Sequence, residues 1–206
     1  MIAATADASA PLVSGFIEST FSPLVYEAVR QCLAESPGAA AWDGARTALV
    51  LASTMGDATT LDLGSRLLVA GEVNNALLFM QSTANAILGR ISIDFSITGP
   101  IVALSMVGDL AADLLATAEA LLADGEVGRV VLVGVELAGT ERTTAAHREL
   151  GTGPPTADLA VAIVLDRNDP MPVLQPAVNT PSILPTAHGS LRGLAEVAAR
   201  IRGAAT

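Results

Sequence analysis

The chain has 206 residues, of which 51% are hydrophobic and 16% are charged, so it holds ample apolar material for a buried core. Its formal net charge is −10 and it contains no lysine, which excludes nucleic-acid binding through clustered basic residues and any lysine-dependent catalysis. No run is apolar enough for a membrane helix, and the N-terminus lacks the basic start of a signal peptide. A single cysteine, Cys32, allows no internal disulfide, and we therefore expect a cytoplasmic protein.

The first half of the chain predicts two helices and a buried strand. Apolar residues recur at helical spacing from Pro23 to Glu35, and the continuous apolar run RTALVLAST from Arg46 predicts a strand covered on both faces. The stretch MGDATTLDLG that follows is expected to be a loop. Residues 72–89 are compatible with one helix, and RISIDFSITG is expected to be extended.

The second half alternates strands with helices. A strand from Ile101 to Met106 is followed by a turn and an amphipathic helix from about Asp109 to Ala123. RVVLVGVE and ADLAVAIVLDR predict two more buried strands, separated by a polar loop, LAGTERTTAAHRELGTGPPT. After Pro170 the pattern loosens, and SLRGLAEVAARIRGA predicts a closing amphipathic helix.

This alternation predicts an α/β protein with layers of helices on a mixed, mostly parallel sheet. We expect residues 1–206 to form a single domain, with 171–206 loosely ordered apart from the terminal helix. No glycine motif of a dinucleotide site follows a strand, and the two histidines show no metal-ligand spacing. We therefore expect neither a cofactor nor a metal.

Four stretches carry the pattern of a known family. They are a Gly-Pro pair followed after four residues by Ser105, the segment ALLADGEVGRVVLVGVE, the segment LFMQSTANAILGRISIDFSITGP, and TADLAVAIVLDR. In order and content they resemble the N-terminal half of the β-ketoacyl synthases of the thiolase superfamily, best over residues 20–170. The resemblance implies a thiolase-like half-fold, since ketosynthases consist of two similar halves and are about twice as long. The family's Gly-Glu-Gly turn is replaced here by GTGPPTAD.

The resemblance runs without a gap from Gly99 to Glu136 and places the family's catalytic cysteine at Gly108. In the family, the cysteine thiolate accepts an acyl chain, and two histidines from the C-terminal half assist. Glycine has no side chain and can carry no acyl group, which implies a pseudoenzyme with no catalytic residue of the family's kind. His188, in PTAHGSLRGLAEVAARI, is only faintly similar to a Gly-His turn of the missing half.

Three residues are weaker catalytic alternatives. Asp109 resembles a general base, although an acidic residue in a first helical turn is stabilising by itself. His147 and His188 are the other two, and no spacing ties any of them to a nucleophile. Residues that we expect at an acyl tunnel or subunit interface are Asn75, Phe79, Met80, Ser105, Met106 and Gly108.

Three functions follow from the resemblance. The first is a non-catalytic subunit, similar to a chain-length factor, that forms a heterodimer with a full-length ketosynthase in polyketide or fatty-acid biosynthesis and meets its acyl carrier protein. The second is a decarboxylase or hydrolase acting on carrier-bound acyl chains, with His147 or His188 and Asp109. The third is a homodimer that binds an acyl ligand. The first function is supported by an argument from burial. A lone half-fold is expected to leave one apolar layer uncovered, and a partner subunit would cover it.

Overall fold

A computed structural model describes residues 1–36, 43–72, 76–108, 110–151, 153–174 and 186–204, with the backbone alone for 186–188. Its strands are β1 Ile2–Asp7, β2 Thr47–Ser53, β3 Ile101–Ser105, β4 Arg129–Glu136 and β5 Leu159–Asp166. Its helices are α1 Phe21–Ala34, α2 Ala58–Ala70, α3 Ala76–Gln81, α4 Ala84–Asp94, α5 Leu110–Ala123, α6 Glu141–Glu149 and α7 Arg192–Ala204. Short 3-10 turns lie at Gly44–Arg46 and Thr186–Leu191.

The five strands form one sheet in the order β1-β5-β4-β2-β3. β2 lies between β3 and β4 and is parallel to both, so that Leu49 is opposite Ile101 on one side and Val131 on the other. β5 is antiparallel to both of its neighbours, β4 and β1. Since β1 and β4 are both antiparallel to β5, four of the five strands run in the same direction, and the predicted α/β class with a mixed, mostly parallel sheet is confirmed.

Helices cover both faces of the sheet, because the central strands are apolar on both faces. All seven residues of β2 are buried, and successive residues point to opposite sides. Leu49 and Leu51 pack with α1 and α4, whereas Val50 and Ala52 pack with α5 and α7. Alternation along β2 and β4 thus divides the core between two helical layers.

The position of α7 corrects the expectation that one apolar layer of the half-fold is uncovered. The half-fold does not leave that side of the sheet bare, because the terminal helix predicted after residue 171 lies across it beside α5. A Cβ at Gly134 of β4 would lie 2.6 Å from side-chain atoms of both Leu191 and Leu194, so the missing side chain makes room for this segment. The side chains buried there are Leu191, Leu194, Val197 and Ala198.

Two predicted loops are helices. MGDATTLDLG begins α2, which Asp57 caps by accepting the Thr60 N–H and which ends at Gly71 in the left-handed conformation (φ +71°). The polar loop after β4 contains α6, which Thr140 caps by accepting the Thr143 N–H. Neither helix has a broad apolar stripe, so hydrophobic periodicity could not find them, whereas the capping residues Asp57 and Thr140 were a usable signal.

Two further boundaries differ from the prediction, and one strand was not predicted. The single helix expected over residues 72–89 is interrupted at Ser82 and Thr83, between α3 and α4. α4 continues to Asp94, so the start of RISIDFSITG is helical and not extended, because Ile87 and Ile91 point together into the core. The N-terminal strand β1 was not predicted, since its short Ala- and Thr-rich sequence has little hydrophobic pattern.

Gly99 is required where the chain returns from α4 to β3. A Cβ at this position would lie 2.3 Å from the Thr47 carbonyl oxygen, which is backbone and cannot move aside. We expect Gly99→Ala to lower the free energy of unfolding by about 1–3 kcal/mol, measured by urea denaturation. The matched control is Gly89→Ala in α4, where nothing lies within 4 Å of the new Cβ. It should raise stability by about 0.5–1 kcal/mol, and equal effects of the two changes would contradict this account.

Candidate functional site

The turn after β3 lies at the carboxyl end of the parallel strands, where open α/β sheets usually place their ligands. The Met106 N–H donates to the Ser53 carbonyl oxygen at 3.1 Å, which extends the β2–β3 ladder to the start of the turn. Gly108 has φ +110°, and a Cβ built there meets nothing within 4 Å. Space for a side chain therefore exists at Gly108, but only glycine adopts this backbone conformation without strain.

The turn holds no activated nucleophile among its described residues. Ser105, at the end of β3, is exposed, and its hydroxyl donates to the Thr54 carbonyl oxygen at 3.5 Å. A carbonyl oxygen cannot take up a proton as a general base does, so this contact does not activate the serine. Met106 is half-buried and packs against the core on the α5 side.

The other candidate residues are spread over the molecule. Phe79 and Met80 lie on α3 with 70% and 64% of their surface exposed. Asn75 and Asp109 lie outside the described residues, and so does the side chain of His188, whose backbone forms part of the turn Thr186–Leu191. His147 of α6 is fully buried.

His147 belongs to a buried polar cluster centred on Glu136, the last residue of β4. Its Nε2 atom lies 3.3 Å from Oε2 of Glu136, which is itself only 1% exposed. The other carboxylate oxygen, Oε1, accepts the Thr54 N–H at 2.7 Å and the Ser190 hydroxyl at 2.8 Å. One carboxylate thereby joins the end of β2, helix α6 and the segment before α7.

Sequence reasoning missed this cluster. Glu136 ends an apolar strand, and a lone carboxylate at that place was a signal for a buried polar partner. The sequence indicates His147 only as a catalytic alternative, because its partner Glu136 is identified only by the fold, which brings α6 against the end of β4. Ser190 and Thr54 are far from Glu136 in sequence and carry no motif.

A second buried carboxylate, Asp57, lies where β2 leads into α2. It accepts the Ser19 hydroxyl at 2.5 Å and the Thr60 hydroxyl at 2.8 Å, besides capping α2. Burial raises the pKa of Asp57, and the hydrogen bonds from Ser19 and Thr60 oppose that shift. Its partners hold the N-terminal loop against α2, which is a structural role.

Cys32 is a core residue and not a reactive thiol. It is fully buried in α1, with its Sγ atom 3.4 Å from the Ile2 carbonyl oxygen and 3.7 Å from that of Ala162. Burial raises the pKa of Cys32 to about 12, so the thiol stays protonated at neutral pH.

The part of the chain that the structure describes contains neither a membrane-spanning helix nor a metal-binding cluster. None of its helices has both the length and the apolar character needed to cross a membrane. Nor does any group of three or more His, Cys, Asp or Glu side chains come together there in a way that could hold a metal ion.

Solved structures of ketosynthases share this fold. The ketosynthase ApeO in complex with its chain length factor ApeC, from Xenorhabdus doucetiae, matches with a TM-score of 0.60 and 20% identity, over 78% of this chain and 63% of that one. The ishigamide ketosynthase/chain length factor matches with a TM-score of 0.62 and 17% identity, over 79% and 48%. A type II polyketide synthase acyl-carrier protein in complex with its ketosynthase gives 0.57 and 15%, over 72% and 47%.

This chain thus spans 47–63% of the length of these three structures. No curated protein matches its sequence. The sequence model of the family described as "Beta-ketoacyl synthase, N-terminal domain" matches residues 19–159, most of the segment over which the resemblance was recognised. The chain therefore belongs to the β-ketoacyl synthase family, through the N-terminal domain of that family.

Proposed function

We propose that this chain is a non-catalytic, chain-length-factor-like subunit that pairs with a full-length ketosynthase in polyketide or fatty-acid biosynthesis. The observation that carries the proposal is the turn at Gly108. The family resemblance puts the catalytic cysteine at this position, and the turn keeps open space and a positive φ there without any side chain. The strand, turn and helix that would present a nucleophile are retained, whereas in this proposal a partner subunit supplies the nucleophile for condensation.

The outer edge of β3 supports pairing with that partner. The Leu49 N–H donates to the Pro100 carbonyl oxygen and the Met106 N–H to Ser53, so even-numbered residues of β3 bond to β2. The N–H groups of Ile101, Ala103 and Ser105 therefore point away from β2, and no described strand pairs with them. An unpaired edge strand is a template for a strand of another chain.

A second exposed apolar surface lies on α2 and α3, which connect to β3 through α4, because α3 contacts α4 and α4 contacts β3. Only Ala58 and Thr60 of α2 and Leu78 of α3 are buried, and the two helices pack against each other. They display an apolar surface of a kind that monomeric proteins rarely leave in water. The exposed side chains are Leu68, Val69, Leu77, Phe79 and Met80, with Ile93 of α4 and Ile101 of β3.

The same region carries few charges, although the chain as a whole is strongly acidic. Between Leu67 and Gly108 the sequence contains only Glu72, Arg90 and Asp94 as charged residues, and the last two form an ion pair at 2.8 Å. Depletion of charge together with an exposed aromatic residue and methionine, here Phe79 and Met80, is typical of the core of a protein interface. We call the outer edge of β3 with α2 and α3 the pairing surface.

The alternative functions rest on fewer observations. A decarboxylase or hydrolase that uses His147 would need to bring ligand to a side chain that is fully buried and paired with Glu136. A homodimer would use the same pairing surface, but each copy carries a net charge of −10, and the two would repel each other. An acyl carrier protein is a further partner of the complex in this proposal.

Co-expression with the ketosynthase encoded nearest to this chain tests the pairing. We expect a one-to-one complex in native mass spectrometry, weakened about tenfold or more by Ala103→Pro, which removes an outward N–H from the edge strand. Ala103→Val is the matched control, because it keeps that N–H and suits a strand. A chain that forms only homodimers, or equal affinity of the two variants, would contradict the proposed pairing.

Thiol chemistry at position 108 tests the missing nucleophile. The natural chain should take up no thiol reagent and no acyl group from an acyl thioester at neutral pH, because Cys32 is buried and protonated. Gly108→Cys should add one reactive thiol at the start of α5, at a cost of about 1–2 kcal/mol for a side chain at positive φ.

Mass spectrometry of the intact protein counts the labels in that experiment. Gly108→Ser is the control, since it imposes the same backbone strain without a thiol. Acylation of the natural chain at any residue would overturn the non-catalytic assignment, whereas it would leave the pairing surface untouched.

A further inference from the structure

The segment Thr186–Ala204, here called the strap, lies across the α5 side of the sheet. Its apolar attachment consists of four buried side chains that pack beside α5 and over β4, β5 and β1. Gly134 makes room for the first two of them. These four are Leu191, Leu194, Val197 and Ala198.

The polar attachment of the strap is concentrated at Ser190. This residue is 5% exposed, and its hydroxyl lies 2.8 Å from Oε1 of Glu136 and 3.2 Å from Oγ1 of Thr54. Two further polar contacts join the strap to the rest of the described chain, and both lie at the surface. They run from Arg200 to the Val173 carbonyl oxygen and from Arg202 to the Thr5 hydroxyl.

Glu136 lowers the cost of breaking the polar attachment at Ser190. A buried carboxylate gains hydration when it is uncovered, which offsets part of the cost of opening the segment above it. If the strap lifts, Glu136 loses only the Ser190 hydroxyl, because Thr54 and His147 belong to the β2–α2 connection and to α6. The hydrogen bonds of Glu136 to Thr54 and His147 therefore remain when the strap lifts off the sheet.

We propose that the strap opens as one unit while the sheet stays folded, with the hydrogen bond from Ser190 to Glu136 as its latch. Opening uncovers Glu136 and Thr54 at the carboxyl end of the parallel strands, beside the first turns of α5. The strap is thus a lid over the end of the sheet that also carries the Gly108 turn. This inference does not depend on whether the chain pairs with a ketosynthase.

The arginines of the chain allow a direct test with trypsin. With no lysine present, trypsin cuts only after arginine, and no arginine lies between Arg167 and Arg192. Arg192 is in the first turn of α7 with half of its side chain exposed, so cleavage after it reports opening of the strap. Cleavage after Arg90 in α4 and Arg129 in β4 reports unfolding of the body.

We expect Ser190→Ala to accelerate cleavage after Arg192 by about 10- to 100-fold, since it removes a hydrogen bond to a charged group. Cleavage after Arg90 and Arg129 should change by less than about twofold. Ser65→Ala is the matched control, because its hydroxyl bonds within exposed α2 and touches no part of the latch. Peptide mass spectrometry over a time course gives all of these rates.

Two results would overturn the proposal. One is a rate after Arg192 that Ser190→Ala leaves unchanged, and the other is a rise that is equal at Arg90, Arg129 and Arg192, which means global unfolding. The natural chain supplies an independent measurement if the variant does not fold. Its cleavage after Arg192 should depend more weakly on urea than cleavage after Arg129, since a local opening exposes less surface than unfolding does. Equal urea dependence would also refute a separate strap.

Discussion

The structure depends on one constraint, which is that β2 and β4 are apolar on both faces. A sheet built around such strands must be covered on each side, and the backbone groups within it must be paired strand to strand. Both requirements are met for β2 and β4, which are paired on both edges and covered by α1 and α4 on one side and by α5 and α7 on the other. Side chains with polar function are consequently confined to the ends of the strands, to the edge strand and to the outer helices.

This confinement explains how the Gly108 turn persists without a nucleophile. The position of α5 is determined by Leu110, Leu114 and Ala118, which are fully buried against the sheet. None of these contacts involves a side chain at position 108, and glycine relieves the strain that any other residue would meet at φ +110°. The turn and α5 therefore keep their positions without a side chain at position 108.

The surface of the molecule is also uneven in charge and polarity. Acidic residues give the chain its net charge of −10, yet the stretch from Leu67 to Gly108 is nearly free of charge and displays apolar side chains. On the other side of the molecule, the strap covers what would have been a second apolar face. One side of the sheet is thus covered by the chain's own α5 and α7, whereas apolar side chains of α2 and α3 stay exposed.

The sequence by itself determined the elements whose side chains are buried on a regular pattern. β2, β4, β5, α1, α5 and α7 were predicted within a few residues, because continuous apolar runs and helical stripes report burial directly. The family could also be recognised from the sequence, since it depends on order and spacing along the chain. Elements with little buried surface, such as α2 and α6, were missed for the same physical reason.

Only the tertiary structure decided the partners of buried polar groups. Glu136 meets Thr54, His147 and Ser190 because β2, α6 and the strap converge at one end of the sheet, at separations of 82, 11 and 54 residues. Likewise, only the strand order shows that β3 is an edge strand with outward N–H groups. Only the packing shows that the missing side chain at Gly134 leaves room for Leu191 and Leu194 against the sheet. Hydrophobic pattern specifies what is buried, whereas long-range hydrogen bonding is specified only once the buried surfaces have met.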